Sequence, residues 1–333
     1  MKADKCGSAH RLGHREACTR YRRKVQARRE CEALPRSLLI RLLIAKKIMD
    51  VHTLGIVGAG QMGGGIGQVA AQAGFSVLLY DMTSDLVNAS LANIQRNLVR
   101  LTDRGKLSQD EQQNIIGRMR GTSNLADMRD ADLVIEAAPE DYEVKKGIFE
   151  QLDQMTRPET ILASNTSSIS LTQLGAVTKK PDKVIGMHFM NPPVVMELVE
   201  IVRGLATADE TLQTVDTLAK KMGKTTILAK DYAGFIVNRI LLPMINEAIY
   251  ALYEGVGGVE DIDQGMKLGT NQPMGPLALA DLIGLDTCLA VLERLHHGLG
   301  DDKYRPCPLL RNYVAAGYLG RKAAKGFYDY GKA

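Results

Sequence analysis

His188 and Glu200 stand twelve residues apart, with Asn191-Pro192-Pro193 between them breaking any regular element. A histidine titrates near neutrality. A carboxylate on one of its ring nitrogens fixes the tautomer and stabilises the imidazolium, so such a pair can take and return a proton. The plainer reading is a buried histidine capped by a structural glutamate, and on spacing alone it is the better one. Asn165 and Ser167 follow another apolar run, and Asn238 is a lone polar residue inside the apolar stretch Gly234-Phe235-Ile236-Val237-Asn238-Arg239-Ile240-Leu241-Leu242. That asparagine needs a partner, either a neighbouring carbonyl or a ligand.

A second chemistry is written in glycine. Val51 to Val57 reads as a short buried strand running into Gly58-Ala59-Gly60-Gln61-Met62-Gly63, which fits G-x-G-x-x-G. A helix follows to Gly74, then a strand Phe75 to Tyr80, closed by Asp81. Such glycines allow a tight turn and close approach of a pyrophosphate, and the helix N-terminus offers free N–H donors to it. Asp81 suits the adenine ribose hydroxyls and repels a 2′-phosphate, which favours NAD and leaves NADP open.

The elements that must position these groups alternate. Residues 84–118 read as helical and basic, with Arg96, Arg100, Arg104 and Lys106; spacing alone makes this a solvated face. Ala131–Ala137, Thr160–Asn165 and Val184–Phe189 read as further strands. Alternation of strands and helices predicts an α/β fold, a Rossmann-type doubly wound parallel sheet whose ligands lie beyond the strand C-termini. Glu200 is read as the end of the apolar segment Val194 to Val199. From residue 231 the pattern changes: a helix beginning at Gly234 is apolar nearly all round, and others follow over Glu260–Leu268 and Pro276–Leu295. The expected organisation is a basic extension over 1–48, an NAD-binding domain over 49–230, and an all-helical substrate and dimerisation domain over 231–333.

The chain has 333 residues, 45% hydrophobic and 24% charged, which excludes a mainly disordered or collagen-like protein. Its net charge of +4 is unevenly spread. Residues 1–48 hold 14 Lys/Arg against 4 Asp/Glu, leaving 28 basic and 34 acidic residues in the remainder. The acidic body gives no reason to expect nucleic-acid binding. The arm reads as a transit peptide, a nucleic-acid-binding tail or an over-extended start. The last is favoured, because the first strand begins just after Met49. Cys6, His10, His14 and Cys18 recur every fourth residue, a looser pattern than structural zinc sites use, and no metal is expected. The apolar run 38–44 is too short to span a bilayer.

Taken together, Gly58–Gly63, Ser164-Asn165-Thr166-Ser167-Ser168, Gly186-Met187-His188-Phe189-Met190-Asn191-Pro192 and Gly234-Phe235-Ile236-Val237-Asn238-Arg239 resemble the signatures of L-3-hydroxyacyl-CoA dehydrogenases. Lys267 to Asp286, Lys303 to Leu310 and Lys325 to Tyr330 are most similar to the bacterial 3-hydroxybutyryl-CoA dehydrogenases. The resemblance covers about residues 51–331. It implies a cytoplasmic, homodimeric enzyme of fatty-acid or butanoate metabolism that interconverts (S)-3-hydroxybutyryl-CoA and acetoacetyl-CoA with NAD. His188 would be the acid/base and Glu200 its orienting partner, which reverses the preference drawn from spacing. Ser167 and Asn238 would hold the substrate. Asp81, Glu140, Lys145, Ser167, Asn191 and Lys322 match NAD-contacting positions. The basic helical segment matches the part of the family fold near the CoA phosphates, with Arg104, at a position usually basic, as the implied substrate contact. The sequence departs from the family at Ala233, Pro193-Val194, Glu197 and Ala323-Ala324, none of them a proposed catalytic group. Other readings are a dehydrogenase of a small hydroxy or sugar acid, and a non-catalytic NAD-binding protein.

Overall fold

The computed structural model describes residues 49–331; the basic stretch 1–48, with its Cys6-His10-His14-Cys18 spacing, lies outside the described residues. Strand β1 (Thr53–Val57) leads into helix α1 (Gln61–Gln72), and β2 (Ser76–Tyr80) into α2 (Ser84–Asp103). The basic region expected as one helical stretch is two helices. Gly105 takes a φ of +66° after α2, and Ser108 and Glu111 then build a reciprocal capping box that starts α3 (Gln109–Gly117). Next come β3 (Met119–Thr122), β4 (Leu133–Glu136), α4 (Tyr142–Met155) capped by Asp141, β5 (Ile161–Ser164) and α5 (Leu171–Ala176). The sheet is completed by β6 (Val184–Phe189), β7 (Leu198–Arg203), helix α6 (Asp209–Lys221) and β8 (Thr225–Lys230).

The eight strands lie in the order β3-β2-β1-β4-β5-β6-β7-β8. The first six form the parallel, doubly wound arrangement expected of a Rossmann-type sheet. The expectation of a parallel sheet fails at one junction. β7 runs antiparallel to β6, because an eight-residue loop returns the chain directly without a crossover helix. Glu200 therefore does not end a segment; it lies inside β7, directly opposite His188 in the register. The inner strands are buried on both faces, so they read as continuous apolar runs rather than alternations.

A helical domain follows the sheet. Its helices are α7 (Val237–Tyr253), α8 (Val259–Thr270), α9 (Pro276–Ile283), α10 (Leu285–Leu299) and α11 (Pro308–Ala315). Two boundaries differ from the sequence reading. Gly234 (φ +76°) and Phe235 (φ +49°) are both left-handed, so residues 234–236 form a turn and the helix starts at Val237. Gly284 (φ +102°) breaks the expected 276–295 helix into α9 and α10. Leu242, Ile245, Leu277, Leu292 and Leu295 build a separate core there, each burial contributing about 1.5–3 kcal/mol.

Candidate active site

Site-forming groups gather at the C-terminal ends of β1, β4, β5 and β6, where a doubly wound sheet leaves its crevice. Each glycine at the end of β1 has a reason. Gly58 has a φ of +102°, and a side chain there would stand 2.6 Å from the Ala137 carbonyl oxygen. A side chain at Gly63 would fall on the Gly58 carbonyl oxygen. Gly60 caps α1 with no side-chain hydrogen bond, so the helix presents bare N–H groups. Asp81 lies beside this turn, accepting from Ala59 N at 2.8 Å and Met82 N at 2.7 Å. Gln61 donates to Asn191 Oδ1 at 3.1 Å, linking the turn to the loop beyond His188. Tight turn, uncapped helix and adjacent carboxylate together fit a dinucleotide.

At the far end of β6 the imidazole of His188 is nearly buried. Its Nδ1 is 2.7 Å from Glu200 Oε2, and the carboxylate has no solvent exposure. The other carboxylate oxygen accepts from both Ile236 N and Val237 N at 3.0 Å. These are orphan donors at the start of α7, so Glu200 caps that helix while it holds the histidine. Glu200 accepts with both oxygens, so Nδ1 carries a proton, and in the neutral ring Nε2 keeps the lone pair. The ring of Phe235 meets the imidazole edge-on with centroids 5.7 Å apart. Asn165 accepts from Phe189 N at 2.9 Å, tying the end of β5 to β6.

Ser167 lies in a turn gathered around Glu140, whose Oε1 accepts from Thr166 Oγ1, Ser167 N, Ser168 Oγ and Ser167 Oγ. Burial acts to raise the Glu140 carboxyl, but Lys145 and these donors outweigh it and hold it below the usual glutamate value. Lys145 is only 1% exposed. Its ammonium donates to Glu136 Oε1 at 2.6 Å and Ala138 O at 3.1 Å, and lies 3.3 Å from Glu140 Oε2. Protein groups thus already engage the cation assigned to the cofactor by resemblance. Burial pushes the Glu136 carboxyl up, against the pull of Lys145.

The remaining expected residues are spread more widely. Asn238 is half-buried on the first turn of α7. Lys322 pairs with Asp286 at 2.6 Å within the helical domain. Arg104 is exposed at the C-cap of α2, one turn beyond Arg100 and two beyond Arg96, and those two border a shallow depression with Ala92 and Val99. Among the described residues no group of three His, Cys, Asp or Glu side chains could hold a metal. The sequence reading missed Glu136 and Ser164, joined at 2.6 Å, and Arg294, which donates to the Glu140 carbonyl from α10. Glu136 had a signal: a carboxylate closing a wholly apolar parallel strand sits where such sheets place their sites. Arg294 had none.

Such a sheet, glycine turn and buried His–Glu contact fit an NAD-dependent dehydrogenase with a helical second domain. Residues 53–232 match the family described as 3-hydroxyacyl-CoA dehydrogenase, NAD binding domain, and residues 234–330 match its C-terminal domain. The chain belongs to the 3-hydroxyacyl-CoA dehydrogenase family. A Bacillus subtilis protein named probable 3-hydroxybutyryl-CoA dehydrogenase is 55% identical over 282 residues, 85% of this chain and 98% of the relative. A 3-hydroxybutyryl-CoA dehydrogenase of Bradyrhizobium diazoefficiens is 53% identical over 84% of this chain and 96% of its own. The crystal structure of an (S)-3-hydroxybutyryl-CoA dehydrogenase from Ralstonia eutropha superposes with a TM-score of 0.83 at 50% identity, covering 85% of this chain and all of that one.

Proposed function

We propose that this dehydrogenase interconverts (S)-3-hydroxybutyryl-CoA and acetoacetyl-CoA. Supporting this are relatives of that name that share about half its residues along nearly their whole length. The observation that carries the chemistry is the buried His188–Glu200 contact, with the second carboxylate oxygen fixed on the α7 N-terminus.

Nicotinamide, when bound, supplies the hydride acceptor or donor. The chain does the rest. In oxidation His188 Nε2 takes the proton of the substrate's 3-hydroxyl; in reduction the imidazolium returns it to the forming alkoxide. Glu200 keeps Nδ1 protonated and steadies the positive charge. Ser167 and Asn238 hold the substrate oxygens near Nε2. Residues Gly58 to Gly63 cradle the pyrophosphate and Asp81 takes the ribose hydroxyls. Glu140, Lys145, Asn191 and Lys322 form the remaining cofactor surroundings, and Arg104 meets the CoA phosphates. The protein acts in the cytoplasm as a homodimer formed through the helical domain. The domain limits are 49–230 and 231–333.

The test is the rate of nicotinamide oxidation with acetoacetyl-CoA, with NADH and NADPH side by side. Rapid turnover with NADH is expected, and His188→Gln abolishes it while leaving NADH binding nearly intact. A His188→Gln protein as fast as wild type would remove the histidine from the mechanism; a preference for NADPH would remove the role of Asp81.

A further inference from the structure

We propose that Glu136 is a positioning residue for Ser167, acting through Lys145 and Glu140. The inference rests on the assignment of Ser167 to the substrate. Glu136 closes β4 with no solvent exposure, and each of its oxygens is engaged: Oε1 by Lys145 Nζ and Ala138 N, both at 2.6 Å, and Oε2 by Ser164 Oγ at 2.6 Å. Three donors from three segments fix this carboxylate, so it sets where the lysine sits. An ammonium has three N–H groups. Those of Lys145 face Glu136, the Ala138 carbonyl and Glu140. The lysine is a bridge, held close to Glu136 and more loosely, at 3.3 Å, to Glu140 Oε2.

The consequence appears at the other oxygen of Glu140. Four donors converge on Oε1: Thr166 Oγ1 at 2.7 Å, Ser167 N at 2.8 Å, Ser168 Oγ at 2.9 Å and Ser167 Oγ at 3.1 Å. A carboxylate oxygen has about two lone-pair sites, so the oxygen is oversubscribed and its longest contact is the first to leave. That contact is the Ser167 hydroxyl. The backbone N–H keeps residue 167 in place while its hydroxyl turns to a substrate oxygen. Without the Glu136 charge, the lysine closes its gap to Glu140 and draws that carboxylate away from the serine turn. Arg294, donating to the Glu140 carbonyl at 2.6 Å, anchors the same residue from the helical domain.

The test is a double-mutant cycle of Glu136→Gln and Ser167→Ala, reading kcat and KM with acetoacetyl-CoA, NADH affinity by fluorescence titration, and Tm. Glu136→Gln is expected to lower kcat by about tenfold, and any change in NADH affinity, transmitted through Lys145 and Glu140, is expected to be the same with or without Ser167. In the Ser167→Ala background the same substitution is expected to cost less than about twofold, since the serine it positions is gone. Losses that multiply in the two backgrounds, or an unchanged kcat, overturn the inference and leave the reaction assignment standing. Wild-type protein that binds NADH without turning over acetoacetyl-CoA overturns both. Should Glu136→Gln not fold, Glu136→Asp retains the charge but retracts it from Lys145, and a smaller loss absorbed by Ser167→Ala is expected.

Discussion

Glu200 does two jobs with its two oxygens, and substitutions can separate them. Glutamine in its place still offers a carbonyl oxygen to Ile236 N and Val237 N, so the cap on α7 survives. Its amide N–H₂ would then face His188 Nδ1 and demand a lone pair there, forcing the proton onto Nε2. The wrong tautomer cannot accept the substrate proton. Glu200→Gln should therefore fold with a near wild-type Tm yet lose about 10³–10⁴-fold in kcat, the scale seen when a triad aspartate becomes asparagine. Glu200→Ala removes both functions and should also lose about 1–3 kcal/mol of stability by leaving buried donors unpaired. Thermal melts and steady-state kinetics on the two variants distinguish the roles; a glutamine variant with wild-type turnover would show that the tautomer is set elsewhere.

Between elements, Asp132 is the clearest single tie. Standing just before β4, it accepts from His52 N at 2.8 Å and Thr53 N at 2.9 Å at the start of β1, and from Arg157 at 2.7 Å beyond α4. Partial burial opposes ionisation, but these donors prevail and hold the carboxyl below its ordinary 3.8. A carboxyl whose folded value is depressed stabilises the fold above the unfolded value, and that contribution fades as pH falls below 3.8 toward the folded value. Asp132→Asn should thus be less stable than wild type by about 1 kcal/mol near neutrality, with the gap narrowing below pH 4 in denaturant melts. A constant gap would mean that the charge is not what matters. None of this tie was readable from the sequence, since its partners lie 79, 80 and 25 residues away. The glycine turn and the strands were legible because their signals are local: a fixed spacing, an apolar run, a closing acid. The His188–Glu200 pair stood between. Both residues were visible, but spacing favoured a structural role, because antiparallel return of β7 is a property of the sheet and not of any window of sequence.

For the molecule as a whole, the helical domain leaves large apolar side chains outside its own core. Ile240 on α7, Leu268 on α8 and Leu282 on α9 are 67%, 76% and 50% exposed. The proposed homodimer would cover them, and Ile240→Glu should then shift the protein toward monomer in sedimentation velocity at micromolar concentration. A wild-type protein that sediments as a monomer would remove the dimer from the proposal. No helix among the described residues is long and apolar enough to cross a membrane, so these side chains do not belong to a transmembrane span of the described fold. The turn at 234–236 joins the two parts of the molecule at the carboxylate that contacts His188.

That His188 and Glu200 face each other in a ladder, and not across a loop, has an evolutionary side. Their partnership is written in the main-chain hydrogen bonds of β6 and β7, which do not depend on what the intervening residues 190–197 are. Apart from Asn191, which bonds Gln61, those residues can change without undoing the ladder, and this chain carries Pro193-Val194 and Glu197 among them. Selection can rewrite such loop positions while inheriting the facing of His188 and Glu200 intact, because the ladder and not the loop holds them together.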